Sequence, residues 1–289
     1  MGIRIYKRTS AGRRNSSVND YAECTNPRAN KPAKKLLEPI TKTGGRNHSG
    51  MITSWWRGGG AKRMYRIIDF KRNLDNVVGK VVDIQYDPNR SCNIALVDYP
   101  ANEQRYILAP LGMKAGDIVE SGDKVEPRVG SCMPLSNIPV GLEIHNIEMR
   151  PGQGGKLVRS AGVAARLVAR ESTYAVIQLP SGELRKINVK CRATIGQLGN
   201  LDHINVTLGK AGRSRHLGRR PHVRGKAMGP YAHPLGGGEG RSNGGRHPCS
   251  AWGQLAKGGR TRSPRARSNN LLIRRRRSKR YGIVSIPGR

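Results

Sequence analysis

The sequence is poor in acid. Its 289 residues hold 19 Asp or Glu against 53 Lys or Arg, a formal net charge of +34. A compact chain of that charge repels itself and needs a polyanion. Nucleic acid is the usual one, because each phosphate neutralised by Lys or Arg releases a condensed counterion; an acidic membrane surface is the other. Aromatics are scarce too, with one Phe, three Trp and nine Tyr. Stacking platforms for single-stranded bases therefore do not dominate the surface, which leaves phosphate contact and shape to carry the binding. No apolar run approaches the ~18 residues that a bilayer span needs. The segment Met1–Arg8 lacks an apolar core of signal-peptide length, and Tyr6 stands where a myristoylation pattern requires Ser or Thr. CxxC pairs are missing as well. Cys24, Cys92, Cys132, Cys191 and Cys249 are odd in number and at least 40 residues apart. That is neither a disulfide framework nor a zinc-finger spacing, and it predicts free thiols in a reducing compartment.

The charge that is present is uneven. Residues 1–60 hold 12 basic and 3 acidic side chains, residues 61–200 hold 20 and 14, and residues 201–289 hold 21 and 2. The middle segment is nearly ordinary in charge, and the strand patterns lie there. Val82, Ile84 and Tyr86 alternate with Asp83 and Gln85, while Asn93–Val97 and Arg105–Ala109 read as buried strands. Asp87-Pro88-Asn89-Arg90 between them is a turn, with Pro88 pre-set at its second position. Leu142–Ile147 alternates, Ala175–Leu179 follows, and Pro180-Ser181-Gly182-Glu183 turns the chain into Leu184–Ile187. Short strands separated by polar turns predict all-β barrels or sandwiches, with a seam around Gly122–Pro139. The outer segments, rich in Ser, Asn, Gly, Pro and Arg, cannot bury enough apolar surface to offset chain entropy. They read as extended arms that order only against RNA.

Four glycine clusters sit among basic residues: Gly44-Gly45-Arg46, Gly58-Gly59-Gly60-Ala61-Lys62-Arg63, Gly152-Gln153-Gly154-Gly155-Lys156 and Gly236-Gly237-Gly238-Glu239-Gly240-Arg241. Each alone is as readily a turn. Together, in so basic a chain, they favour close backbone approach to RNA. Gly152–Lys156 is not a nucleotide P-loop, because Arg150 replaces the first glycine and Leu157 follows the lysine. Asn243 likewise breaks a GxGxxG reading begun at Gly238. His233 has only Glu239 near it in sequence, which favours an RNA-contacting or packing role over catalysis. His247-Pro248-Cys249 lacks a second ligand pair. Trp55 and Trp56 would stack on bases, wedge between RNA helices or pack on a barrel edge, and the sequence does not choose among these. Arg274–Arg280 reads as a phosphate-contacting stretch rather than a nuclear localisation signal.

Several of these segments together resemble the universal large-subunit ribosomal protein family known as L-two. They include Gly44–Asn47, Tyr65–Arg72, Tyr86–Ser91, Arg105–Pro110, Asn137–Gly141, Arg159–Gly162, Cys191–Thr194, Leu208–Arg213, Arg220–Met228 and His233–Arg241, collinear over roughly residues 5–280. The resemblance implies a mainly β protein. Its parts would be a basic N-terminal extension (1–60), an OB-type barrel (61–124), an SH3-like barrel (125–200) and a Gly/Arg-rich extension threading RNA (201–289). It implies a non-enzymatic, cytoplasmic constituent of the large ribosomal subunit. Such a chain binds large-subunit ribosomal RNA directly and supports subunit association, tRNA binding and the peptidyl transferase centre. Its expected partners are that RNA, neighbouring ribosomal proteins, the small subunit and, indirectly, tRNA; it is not expected to form a homo-oligomer or meet a membrane. No metal or cofactor is expected of the chain itself, and any magnesium would come with the RNA. His233 matches the family's debated histidine, Leu235 stands where many relatives carry a second histidine, and Tyr281–Arg289 extends past the usual end.

The residues expected to contact RNA are Arg46, Lys62, Arg63, Arg66, Lys71, Arg72, Arg213, Arg215, Arg219, Arg220, Arg224, Lys226, His233, Arg241 and Arg246. Arginine outnumbers lysine 17 to 4 after residue 200. A planar guanidinium forks onto phosphate and stacks on bases, so the bias points to structured contacts. A DNA-compacting protein is the first rival reading, disfavoured because no recognition helix is legible. A hydrolase or transferase using His233 is the second.

Overall fold

The structure is a computed structural model that describes residues 2–27, 31–257, 262–278, 282 and 286. Lys279, Arg280 and most of the tail Tyr281–Arg289 lie outside the described residues. The architecture is mainly β, as expected, with short helices only at Ala11–Arg14 and Ala211–His216 and a few single 3₁₀ turns among the described residues.

Two sheets form the centre. The first is four-stranded, in the order Glu103–Leu108, Ile94–Tyr99, Gly79–Gln85, Ile118–Val119, with every pairing antiparallel. Its middle strand explains the unbroken apolar run in the sequence. Ala95, Val97 and Tyr99 face a core with Val81, Ile84, Ile107 and Val119. Ile94 and Leu96 face the other way, into a second core with Ile68, Tyr106, Leu108 and Leu198, against which Leu36, Phe70 and Val163 pack. A strand buried on both faces has no polar side to alternate with. Tyr106 is fully buried in that second core, and its hydroxyl donates to Gln85 Oε1 at 2.8 Å and accepts from the Ala33 amide at 2.9 Å.

One detail differs from the alternation Val82, Ile84, Tyr86. The register shifts between Val81 and Asp83. Val81 and Ile84 are both buried, while Val82 is 44% exposed and Tyr86 38%. A bulge places one extra residue on this strand and turns Val82 outward. The turn after it forms as read. Asp87, fully buried, accepts the Asn89 amide at 2.9 Å and Arg90 Nε at 2.6 Å.

The second sheet has seven strands, in the order Leu272–Arg274, Leu184–Asn188, Tyr174–Gln178, Ala165–Arg170, Glu143–His145, Arg192–Ile195, Cys132–Pro134. Its core is built from Leu135, Ile138, Ile144, Ile147, Leu167, Ile177 and Ala193, all at or near zero exposure. Burying one such side chain contributes about 1.5–3 kcal/mol before chain entropy is charged against it. The C-terminal extension has little regular structure, and Leu272–Arg274 is its one strand among the described residues. After a long excursion the arm returns and adds an edge strand, with Leu184 opposite Arg274, Arg185 opposite Leu272, and Leu272 buried.

Between the sheets sits Arg72, whose side chain is almost wholly buried. Its Nε donates to Ser121 Oγ at 3.1 Å, and its Nη2 to the carbonyls of Glu120 at 3.4 Å and Gly130 at 3.2 Å. One guanidinium thus ties the end of the first sheet to the start of the second. Leu111 N–Gln197 O (2.7 Å) and Gly199 N–Ala109 O (3.1 Å) add backbone links across the same junction.

Candidate nucleic-acid interface

The arms supply much of the exposed positive charge, and backbone pairing does most to shape them. Near the N-terminus, Ile3–Ile5 pairs with Ser17–Asn19. That hairpin is tied to the start of the C-terminal arm. Gly2 N donates to Asp202 at 3.0 Å, Ser17 N to Thr207 O at 2.9 Å, and Thr207 N to Ser17 Oγ at 2.8 Å. Arg213 closes the junction: its Nη1 reaches Ser16 Oγ (2.9 Å) and the Ser17 carbonyl (2.7 Å). Further on, Gly58 N donates to Gly218 O at 3.1 Å, Ala61 N to His216 O at 2.9 Å, and Arg220 N to Trp56 O at 2.9 Å. Gly60 has φ +82°, and a Cβ there would press on the Gly218 backbone, so this crossing requires glycine. The described parts of the arms therefore form a layer joined by backbone hydrogen bonds.

Against this layer the expected contact residues divide. Arg46, Lys62, Lys71, Arg215, Arg219, Arg220, Arg224, Lys226, Arg241 and Arg246 are exposed. Arg63 and Arg213 are half-buried, Arg63 donating to the Pro88 carbonyl at 2.8 Å. Arg66, Arg72 and His233 face inward. Arg66 pairs with Asp87 at 3.4 Å, Arg72 holds the sheet junction, and His233 Nδ1 accepts the Leu235 amide at 3.1 Å beneath Gly225. Composition could not separate these three from the exposed set. For Arg66 alone a carboxylate, Asp87, is the inward partner.

Among the described residues, every Lys or Arg paired to an Asp or Glu side chain falls between Arg66 and Arg192. Two carboxylates close to the arms, Glu23 and Asp202, are engaged elsewhere. Glu23 accepts the Asn200 amide at 2.7 Å and Asn93 Nδ2 at 2.9 Å, and Asp202 takes Gly2, whose amide holds its carboxyl below the usual range. The exposed cations from Arg215 to Arg246 thus stand without acidic partners among the described residues.

The glycine clusters mostly serve the chain itself. Gly152–Gly155 folds over Glu148, a buried carboxylate that accepts Gly154 N at 2.7 Å, Gly152 N at 3.2 Å and Arg192 N at 3.1 Å. Consecutive backbone N–H groups make an anion nest, and here the protein's own carboxylate fills it. A Cβ on Gly155 would collide with Asn146, and one on Gly236 with the Gly229 backbone.

The cysteines and His145 are buried. The five cysteines are free and buried. Burial pushes the thiols of Cys24 and Cys92 up to about 11 and that of Cys191 to about 12, so these three are not thiolates at neutral pH. His145, its Nδ1 2.7 Å from the Gly196 carbonyl, is lowered to about 4 by burial and stays neutral. Among the described residues no group of three or more His, Cys, Asp or Glu is placed to hold a metal, and no helix is long and apolar enough to cross a membrane.

A β core that holds every acid-paired cation among the described residues, wrapped by extensions whose exposed cations from Arg215 to Arg246 make no ion pair there, defines a class of nucleic-acid-binding β protein with basic arms. The family described as Ribosomal Proteins L2, RNA binding N-terminal domain, matches residues 33–121, and Ribosomal Proteins L2, C-terminal domain, matches residues 128–253. Large ribosomal subunit protein uL2 of Rhodopirellula baltica is 58% identical over 286 residues, 99% of each chain. The chain belongs to the ribosomal protein L2 family.

Proposed function

We propose that this chain is a structural constituent of the large ribosomal subunit in the cytoplasm, and that it binds large-subunit ribosomal RNA directly. The observation that carries the reading is the row of exposed, acid-free cations along the arms, from Arg215 and Arg219 through Arg224 and Lys226 to Arg241 and Arg246. The core sets register on folded RNA, and the arms cancel phosphate repulsion between RNA helices. We read residues 61–124 as the OB-type barrel and 125–200 as the SH3-like barrel; the change of sheet between Val119 and Cys132 supports that division. Neighbouring ribosomal proteins, the small subunit and, indirectly, tRNA are the further partners in this reading, with one copy of the chain per subunit. Support of subunit association and of the peptidyl transferase centre follows from position, not from protein chemistry.

His233 belongs to the packing of the arm in this account, because its ring is buried and its Nδ1 holds a backbone amide. Replacing His233 by Gln is expected to disturb the loop Gly225–Leu235 without abolishing peptide-bond formation. The deciding experiment is sedimentation of a lysate in magnesium, before and after ribonuclease. Co-migration with the large subunit, with release only when RNA is cut, is the expected result. Sedimentation of the chain with DNA, or free of RNA, would overturn the proposal.

A further inference from the structure

The chain has three tryptophans in all, Trp55, Trp56 and Trp252, and all three line one cavity. Trp55 and Trp56 come from the N-terminal arm and Trp252 from the C-terminal arm, nearly two hundred residues away. Trp252 stacks on Trp55 with ring centres 5.5 Å apart and planes within 16°. Trp56 meets Trp55 edge-on at 6.0 Å and lies 3.9 Å from the His222 ring. The cavity measures about 880 Å³ and is lined by five Arg or Lys side chains, among them Arg57, Arg220 and Arg224, and by no carboxylate among the described residues.

This combination is unusual for a packing cluster. Trp252 gives one face to Trp55 yet remains 74% exposed, and Trp56 is 41% exposed. A core that needed these rings would hide them. Aromatic faces beside guanidinium groups match the two halves of a nucleotide: the base stacks on the indole, and the flanking phosphates meet the cations. The volume lies within the range of small-ligand pockets, ~300–1,000 Å³. A duplex keeps its bases stacked inside, so only a base turned out of its helix reaches such a platform.

We propose that this cavity is a receptor for an unstacked base of single-stranded RNA, seated on the free face of Trp252 with its phosphates held by Arg57, Arg220 and Arg224. The proposal rests on the RNA-binding reading above and adds a site where base stacking, not charge alone, fixes the arms.

The three tryptophans report on this site and no other, so their fluorescence in the full chain is a direct readout. Short single-stranded oligoadenylate is expected to quench it saturably, whereas ribose 5-phosphate and duplex RNA of matched length are not. Trp252→Leu, at an exposed position, should weaken oligoadenylate binding about tenfold, and Trp252→Tyr should restore it to within about twofold. Arg224→Gln should weaken binding and lower the log–log salt slope by about 1. Equal quenching by ribose 5-phosphate, or unchanged affinity in Trp252→Leu, would overturn the base receptor. Filter binding of large-subunit RNA, run in parallel, separates the two ideas. Silent tryptophans in a chain that still retains that RNA sink the receptor alone, and a chain that retains no RNA sinks both.

Discussion

The arginines of the core and those of the arms are the same residue used in opposite ways. Arg66, Arg105 and Arg192 lie against Asp87, Asp69 and Asp75, and Arg72 against backbone carbonyls, each held by partners inside the chain. Arg192 is bidentate on Asp75, with Nη1 and Nη2 at 2.6 and 2.7 Å from its two oxygens. Such a fork fixes geometry as well as charge. In the arms Arg215, Arg219, Arg224 and Arg241 are exposed, and the described structure gives them no carboxylate. The acceptors the fold brings to it, a carboxylate for Arg192 or backbone carbonyls for Arg72, and not residue type, decide whether an arginine builds the fold or waits for an external anion.

That contrast breaks first where the arm charges are removed. Replacing Arg215, Arg219, Arg220, Arg224, Lys226, Arg241 and Arg246 together by Gln should lower RNA affinity about a thousandfold or more at moderate salt. The log–log salt slope should flatten by about 0.9 for each phosphate that is no longer neutralised. Filter binding over a potassium chloride series measures both, and an unchanged slope would show that these cations do not face RNA. Urea unfolding of the free variant should be unaffected or slightly improved, since self-repulsion falls.

The reverse test acts on the core. Ile177→Ala empties part of the seven-stranded sheet's interior and should cost about 2–5 kcal/mol in urea denaturation. The salt slope of the folded fraction should not move. A slope that fell with the core would mean that the sheets, not the arms, carry the phosphate contacts.

Next in size is a pH effect confined to the core. His145 titrates near 4 when folded, below the ordinary 6.5. The unfolded chain therefore binds the extra proton first, and stability falls as pH drops from about 6.5 towards 4, by about 3 kcal/mol in total. Urea midpoints measured across that window should decline, and the decline should shrink in His145→Gln. A flat profile would mean that His145 is hydrated in solution.

The smallest effect sharpens the boundary between the regions. Arg63 is half-buried and donates to the Pro88 carbonyl. Arg63→Gln should cost about 0.5–1.5 kcal/mol of stability and little RNA affinity. A drop in affinity larger than the drop in stability would assign it to the arms instead.

Much of the β core could be read from local pattern. Runs such as Ile94–Val97 and Tyr174–Gln178 are strands because nothing else buries consecutive β-branched and aliphatic residues so cheaply in length. The turns at Asp87–Arg90 and Pro180–Glu183 followed from proline and glycine chemistry. Three features escaped for physical reasons. The bulge at Val82 depends on what the partner strand offers, which no single strand encodes. The edge strand Leu272–Arg274 begins in the three-residue apolar island Leu271–Ile273, directly before four arginines, and only its distant partner, Leu184–Asn188, gives it a place to bury Leu272. Inward arginines such as Arg72 look in sequence like any other cation. The candidate interface was legible as charge and illegible as shape. Gly152–Gly155 resembled a cradle for phosphate, but Glu148 occupies it. Trp252, isolated in the sequence, meets Trp55 only through the fold.

The strand Leu272–Arg274 also sets a clock. Its partner Leu184–Asn188 leaves a translating ribosome about 80 residues earlier, and at ~5–20 residues per second that is roughly 4–16 s of synthesis. Throughout that interval the sheet has an open margin of unpaired amides, the kind of template on which nascent chains join each other wrongly. The newborn protein is thus most vulnerable while its most cationic stretch is being made, and like-charge repulsion between chains guards Leu184–Asn188 until the short strand Leu272–Arg274 arrives to cover it.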